Sequence, residues 1–191
     1  MIKYRLETFQ TLVETLEQIP TIGRKTAEKI AYTLSVEDKK LAQSIASAIM
    51  GAANHIRKCQ TCQGLSENEE CGICIDTERD NGELCIVQHA RDIGIVESVG
   101  FFKGKYFVLE NLDEVDFEKL QRRIQDCGIC EVIFSFPPSL SNDALMLFVE
   151  DRLSACQLSF SKIAQGIPTG IALDHIDHLS LMRAFQGRIK I

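Results

Sequence analysis

The segment CQTCQGLSENEECGIC, residues 59–74, sets two Cys-x-x-Cys pairs eight residues apart. A two-residue gap lets one tight turn aim two sulfurs at the same ion, and two such turns give a tetrahedral set: Cys59, Cys62, Cys71 and Cys74. Four thiolates leave no position for water, so the spacing points to one structural zinc per chain and not to a catalytic metal. The intervening LSENEE is too polar to pack by itself, so the metal must supply the local folding energy. A redox-active or simply buried pair of thiols is the competing reading. Cys85, Cys127, Cys130 and Cys156 remain. Cys127 and Cys130 repeat the two-residue gap, but Cys85 sits in an apolar run and Cys156 follows a helical stretch. Free cysteine is commonly a small core residue, so no second metal is expected.

A second chemistry lies in Ile19-Pro-Thr-Ile-Gly23-Arg-Lys-Thr-Ala27, which joins two short helical stretches through a tight hairpin. Gly23 is free to take positive φ where the chain turns. The backbone N–H groups that open the following helix can hold a phosphate, and Arg24, Lys25 and Lys29 add positive charge on that side. The pattern resembles a helix-hairpin-helix, which binds the DNA backbone without regard to sequence. Thr21 stands where such a hairpin usually has its first glycine, which bears on how closely a phosphate approaches that amide. An ordinary helical hairpin with solvated lysines is the alternative.

The elements that must position these groups follow from apolar spacing. Leu6, Phe9, Leu12, Val13, Leu16 and Ile19 recur at three and four, which predicts a helix from Arg5 to Ile19 that Pro20 ends. Thr26–Leu34 reads as a second helix. Ser35 is placed to cap a third, with Asp38 in the capping-box position, that carries Leu41, Ile45, Ala48, Ile49, Ala52 and Ile56. Beyond the cysteines the period changes. Apolar runs at Leu84–Val87, Tyr106–Leu109, Val132–Phe136 and Leu158–Phe160 alternate with helical stretches at about 90–98, 116–126, 142–155 and 176–186. Strands alternating with helices predict a parallel sheet with both faces covered.

The chain has 191 residues, 45% of them hydrophobic, enough for a medium domain and a smaller one. No apolar run is long enough to span a membrane, and the first residues lack the order of a signal peptide, so a soluble, cytoplasmic protein with reduced thiols is expected. The net charge of −6 argues against a uniformly basic DNA binder. Its distribution is uneven: residues 1–60 carry nine Lys or Arg against six Asp or Glu, and residues 61–191 carry twelve against twenty-one. A polyanion should therefore meet the N-terminal third.

Taken in order, the hairpin, the four-cysteine segment, CGICIDTERDNGELCIVQHARDIGIVES, KGKYFVLENL and the C-terminal KIAQGIPTGIALDHIDHLSLMRAFQGR resemble the bacterial RecR family over nearly the whole chain. The resemblance implies a multi-domain α + α/β protein: a helix-hairpin-helix over 1–56, a four-cysteine zinc finger over 57–80, a parallel-sheet Toprim domain over 81–161 and a C-terminal assembly arm over 162–191. It also implies homo-oligomers, dimers or tetrameric rings able to encircle DNA. Family members act with RecO, and in some organisms RecF, to load RecA at single-stranded gaps. The DNA contacts would fall on Arg24, Lys25 and Lys29.

Toprim enzymes hold magnesium with a glutamate after the first strand and an acidic pair after the third, because a hard dication prefers carboxylate oxygens. Here Gln88 follows the first strand, and Ser141 and Asp143 occupy the later pair. One carboxylate of three survives, which argues against catalysis; Asp92 or Glu110 could complete only a weak magnesium site. A Toprim nuclease or primase is the enzymatic alternative, and a zinc-containing clamp unrelated to recombination is a third. Arg79 and Asp80 are expected to form an ion pair bracing the finger against the sheet domain. His55, His89, His175 and His178 show no ligand spacing, although His175 and His178 could share one helix side. Gly166, Pro168 and Gly170 predict an irregular segment that could reach a neighbouring chain. Leu179, Met182 and Phe185 form an apolar stripe suited either to the chain's own core or to self-association.

Overall fold

Apolar residues at helical spacing fold the first part of the chain, and β-rich runs alternating with helices fold the rest. The computed structural model describes residues 6–164, 167 and 170–187. They divide into two units, residues 1–56 and 57–191.

In the first unit, α1 (Glu7–Glu17) packs against α2 (Arg24–Tyr32). Val13, Ala27 and Ala31 are fully buried between them, with Phe9, Leu12, Leu16 and Ile22 around the edge. Two alanines on α2 allow this close approach. The turn between the helices differs from the expectation at one point. Gly23 is extended (φ −87°, ψ 166°) and is the N-cap residue of α2, whereas Thr21 takes the left-handed conformation at φ 74°. The hydrogen bond from Ile22 N–H to Ile19 C=O closes the turn one residue earlier than Gly23, and this places the strain on a β-branched residue. A π-helical turn, Thr33–Glu37, leads to α3 (Lys39–His55). Asp38, not Ser35, caps α3, with its carboxylate accepting the Leu41 N–H at 2.8 Å. Ser35 is held inside the π-turn and cannot reach that amide. The apolar stripe of α3 is not buried: Leu41, Ile49 and Ile56 are exposed.

In the second unit, β1 (Arg57–Lys58) pairs antiparallel with β2 (Leu65–Ser66), followed by α4 (Gly72–Ile75). The main elements are β3 (Glu83–Val87), α5 (Ala90–Val99), β4 (Lys105–Val108), α6 (Phe117–Asp126), β5 (Glu131–Ser135), α7 (Leu140–Arg152), β6 (Ser159–Lys162) and α8 (His178–Gln186). β3 to β6 form a parallel sheet in the order β4-β3-β5-β6. Side chains alternate along β3, as strand geometry requires. Leu84 and Ile86 enter a core with Leu120 and Ile124 of α6 and Val149 and Leu153 of α7. Cys85 and Val87 enter a second core with Ile93 and Val96 of α5. Both faces are thus covered, which is why the strands read as unbroken apolar runs.

No helix among the described residues is long and apolar enough to cross a membrane. His175 lies in a 3₁₀ turn and His178 opens α8, so the two do not share a helix side; the Asp177 N-cap falls between them. Gly166 and Pro168 lie outside the described residues. Leu179, Met182 and Phe185 of α8 are exposed.

Candidate metal centre and its surroundings

Residues 59–64 make a tight turn in which Cys59 C=O accepts the Gln63 N–H at 2.9 Å. Gln63 takes φ 63°, and Gly64 follows where an added Cβ would meet Cys62 Sγ at 3.2 Å and Ile93 Cδ1 at 2.8 Å. The first two thiols are therefore presented by a turn with no room for a side chain at position 64. The second pair comes from α4: Cys71 is its N-cap residue and Cys74 lies one turn on.

The four sulfurs all lie within 4.8 Å of one another. Cys59 and Cys74 stand 3.9 Å apart, and Cys62 and Cys71 3.6 Å. A tetrahedral ion with Zn–S bonds of about 2.3 Å spaces its sulfurs by about 3.8 Å, so these residues fit such an ion. Cys59 and Cys62 are buried, which shields the centre from solvent. The Cys62 thiol is held down to about 5, chiefly because Cys74 donates to its sulfur, with the Gly64 amide adding and burial opposing. Cys74 moves the other way for the same reason, its proton being held by Cys62. A cluster that shares protons in this way can exchange them for a dication.

Donors other than the thiols complete the centre. The Gly64 N–H points at Cys62 Sγ (3.4 Å), the Cys71 N–H at Cys59 Sγ (3.3 Å) and Arg123 Nη2 at Cys74 Sγ (3.6 Å). Donors of this kind offset thiolate charge and fix ligand orientation. Arg123 comes from α6, and its Nη1 also donates to Thr61 C=O at 3.3 Å and Tyr106 C=O at 3.0 Å. β4 is an edge strand, and its outward groups would otherwise be unpaired. The cysteine segment covers that edge: Val108 N–H donates to Cys62 C=O at 2.8 Å, while Arg123 takes the Tyr106 carbonyl.

Lys105, the first residue of β4, is 2% exposed. Its ammonium donates to the carbonyls of Ile73 (3.3 Å), Cys74 (2.9 Å) and Asp76 (2.6 Å), and Asp80 Oδ1 lies 3.2 Å away. It thus serves the free carbonyls at the end of α4, the position where a cation is most favourable. Lys119 of α6 donates to Gln60 C=O at 2.8 Å on the other side.

Arg79 and Asp80 do not pair with each other. Arg79 grips Glu97 of α5 through Nη1 at 3.0 Å and Nη2 at 2.5 Å and donates to Gly104 C=O, while Asp80 faces Lys105. Tyr106 is fully buried, and its hydroxyl donates to the same Glu97 at 2.6 Å. Consecutive side chains here point to different elements, which rules out a pair between neighbours. Arg79 holds the Glu97 carboxyl below the usual range.

At the C-terminal end of β3, Gln88 Nε2 donates to Asn142 Oδ1 at 2.7 Å, and Asn142 Nδ2 donates to Pro137 C=O at 2.6 Å. Asn142 is buried. Two amides, unlike two carboxylates, can satisfy each other without a cation. Ser141 is exposed with its hydroxyl 2.9 Å from Ser139 Oγ, and Asp143 pairs with Lys162 at 3.9 Å. Asp92 is spent on the N-terminus of α5, accepting the His89 N–H at 3.0 Å, and Glu110 lies beside Lys58 and His89. These acids do not converge on one point. Cys130 is exposed and its thiol faces Gly82 C=O, and burial pushes the Cys85 thiol up to about 12. Among the described residues, Cys59, Cys62, Cys71 and Cys74 form the one cluster able to hold a metal.

In the first unit, Lys25 and Lys29 are exposed on α2. Arg24 is engaged: Glu17 and Glu28 each accept from it at 2.9 Å, and Gln10 also accepts from it at 2.9 Å. Its charge is therefore partly offset, and the two lysines are the cations that α2 offers most openly.

The helix-hairpin-helix of the RecR family matches residues 9–53. The chain is 48% identical over 188 residues to recombination protein RecR of Helicobacter pylori (strain HPAG1), covering 98% of this chain and 97% of that protein. It is 44% identical over 190 residues to recombination protein RecR of a Nitratiruptor species, over the full length of both. The RecR protein of Campylobacter jejuni (strain RM1221) is 44% identical over 97% of this chain and 98% of its own.

Proposed function

This chain belongs to the RecR family, a family of recombination proteins, and from that premise we propose that it is a DNA-binding mediator without turnover of its own. In this reading it works in recombinational repair with a RecO-type partner, and in some settings RecF, to help place RecA on single-stranded gaps. Cys59, Cys62, Cys71 and Cys74 hold one structural zinc. The hairpin of the first 56 residues meets DNA phosphates through Lys25 and Lys29, with Arg24 contributing when Glu17 and Glu28 release it. Residues 81–161 serve as a Toprim scaffold and residues 162–191 as an assembly arm. Because the chain carries −6, affinity per subunit is low, and a ring that presents several hairpins together raises it.

The observation that carries the non-enzymatic part is the hydrogen bond between Gln88 and Asn142. It fills the end of β3 with neutral amides where a magnesium-dependent phosphoryl-transfer site needs carboxylates. Incubation with labelled single- and double-stranded DNA and magnesium should leave both intact, and the log–log salt slope of binding should fall by about 1.5–2 in a Lys25→Ala, Lys29→Ala variant. Metal-dependent cleavage or primer synthesis would overturn the reading in favour of a nuclease or primase. An unchanged salt slope would remove the two lysines from the interface.

A further inference from the structure

The cysteine turn covers the edge strand β4, and a cavity of about 520 Å³ opens between that turn, Phe107 of β4 and α6. That volume lies within the range of small-molecule sites. The cavity runs along α6 from Asp116 to Cys127, and none of its described lining residues belongs to β3, β5 or α5. Its floor is apolar, built from Phe107, Val115 and Leu120.

The lip of the turn has already spent its main chain. Gln60 C=O accepts from Lys119, Thr61 C=O from Arg123 and Cys62 C=O from the Val108 N–H. What the lip still offers is two carboxamides, those of Gln60 and Gln63, which form no hydrogen bond among the described residues. Gln63 holds φ 63°, one of two positive values at non-glycine positions among the described residues. Glycine reaches that conformation without strain, whereas a glutamine there costs stability. Strain of this kind concentrates where a side chain is needed for binding. From α6 come Lys119 and Arg122, three residues apart on one face. Lys119 spends one of its three donors on Gln60, and Arg122 spends its Nε on Glu118 C=O at 3.3 Å, so both keep donors for a ligand.

We propose that this cavity binds an unpaired adenine nucleotide. The base lies on the apolar floor with its N6 and N7 edge read by Gln60 and Gln63, and Lys119 and Arg122 meet its phosphate. A carboxamide pairs with adenine N6–H and N7 together, an edge that uracil and a bare sugar phosphate lack. The lining sets Lys119, Arg122 and Arg123 against Asp116 and Asp126, which leaves little pull for a bare anion, so the base must supply the selectivity. A free mononucleotide and a base in a single strand both offer this chemistry. The site uses neither Lys25 nor Lys29, so its failure would leave the proposed hairpin contacts standing.

The test is calorimetry and amide-signal mapping on the full-length, zinc-loaded chain with AMP, adenosine, UMP and ribose 5-phosphate. AMP should bind most tightly, at least about tenfold over UMP, with shifts at Gln60, Gln63 and Lys119. Gln63→Gly should melt no lower than the wild type and bind AMP at least about tenfold more weakly. Gln63→Asn tolerates the left-handed conformation but falls one methylene short, and should weaken AMP as well. Arg122→Ala should weaken AMP by several fold and leave adenosine unchanged. In the Lys25→Ala, Lys29→Ala background, displacement of AMP by oligo(dA) alone would place the nucleotide in a single strand, and displacement by neither oligo(dA) nor oligo(dT) would make it the free nucleotide. Displacement by oligo(dT), no binding at millimolar AMP, equal affinity for UMP or ribose 5-phosphate, or full affinity in Gln63→Gly would overturn the proposal.

Discussion

Replacing Lys105 with Met removes one ammonium and keeps an unbranched apolar stem of similar reach. The ammonium of this 2%-exposed side chain serves three carbonyls at 2.6–3.3 Å and one carboxylate at 3.2 Å. A hydrogen bond to a charged group contributes about 1.5–3 kcal/mol, but four around one nitrogen do not add. Removing one partner from a buried ionic cluster costs about 3–5 kcal/mol because the others are left desolvated. Asp80 is partly exposed and recovers some hydration, which places the expected loss near the low end, about 3 kcal/mol. For a unit the size of residues 57–191, that is a fall in melting temperature of about 10 °C. The lysine also fixes the carbonyl of Cys74, a metal-ligand candidate, so metal affinity should fall by about 10–100-fold. Differential scanning calorimetry and a chelator competition measure the two effects. Lys162→Met, at a half-exposed pair, is the control and should cost no more than about 1 kcal/mol. A melting shift below about 2 °C with unchanged metal affinity would refute the reasoning, since it would mean the ammonium does no more in the fold than a methyl group.

Three further outcomes are expected. Stripping the metal should disorder residues 59–75 and uncover the β4 edge, so that light scattering rises while circular dichroism from the sheet persists, because the core on Leu84, Ile86, Val132 and Phe134 does not include Cys59, Cys62, Cys71 or Cys74. In Glu97→Gln the buried Tyr106 hydroxyl and Arg79 lose a charged partner, and stability should fall by about 2 kcal/mol at pH 7. Arg79 lowers the Glu97 carboxyl in the folded protein, so its contribution is complete above the unfolded value of about 4.3 and disappears as pH drops through the folded one; the wild-type advantage in melting temperature should be flat from pH 8 to 5 and shrink below about pH 4. Thr21→Gly should raise stability by about 0.5–1 kcal/mol, because glycine removes the strain at φ 74° and returns only part of it as unfolded-state entropy. Urea denaturation of the full chain reads that change.

The cysteine cluster and the parallel sheet were legible because each rests on a local signal, a two-residue gap in one case and an unbroken apolar run in the other. The groups that fasten the cluster were not. Lys105 opens a strand and reads as an exposed charge, and only the sheet register shows that its stem runs under the end of α4. Arg123 reads as one more cation on a polar helix face, yet its reach from α6 to Cys74 depends on a contact 49 residues away in sequence. Asn142, lying between Ser141 and Asp143, carried no signal of its own; its role depends on Gln88, 54 residues earlier. Gly23 was the natural choice for positive φ, but the turn closes at Ile22 and the strain moves to Thr21. In each case a contact or turn closure beyond the local pattern decided what that pattern left open.

The most direct test of the mediator reading is the rate at which RecA displaces single-strand-binding protein from gapped DNA, measured with this chain and the RecO-type protein of the same organism. A several-fold faster rate with both proteins than with either alone, lost in the Lys25→Ala, Lys29→Ala variant, is the expected result. An unchanged rate in the presence of a zinc-loaded, folded chain would contradict it.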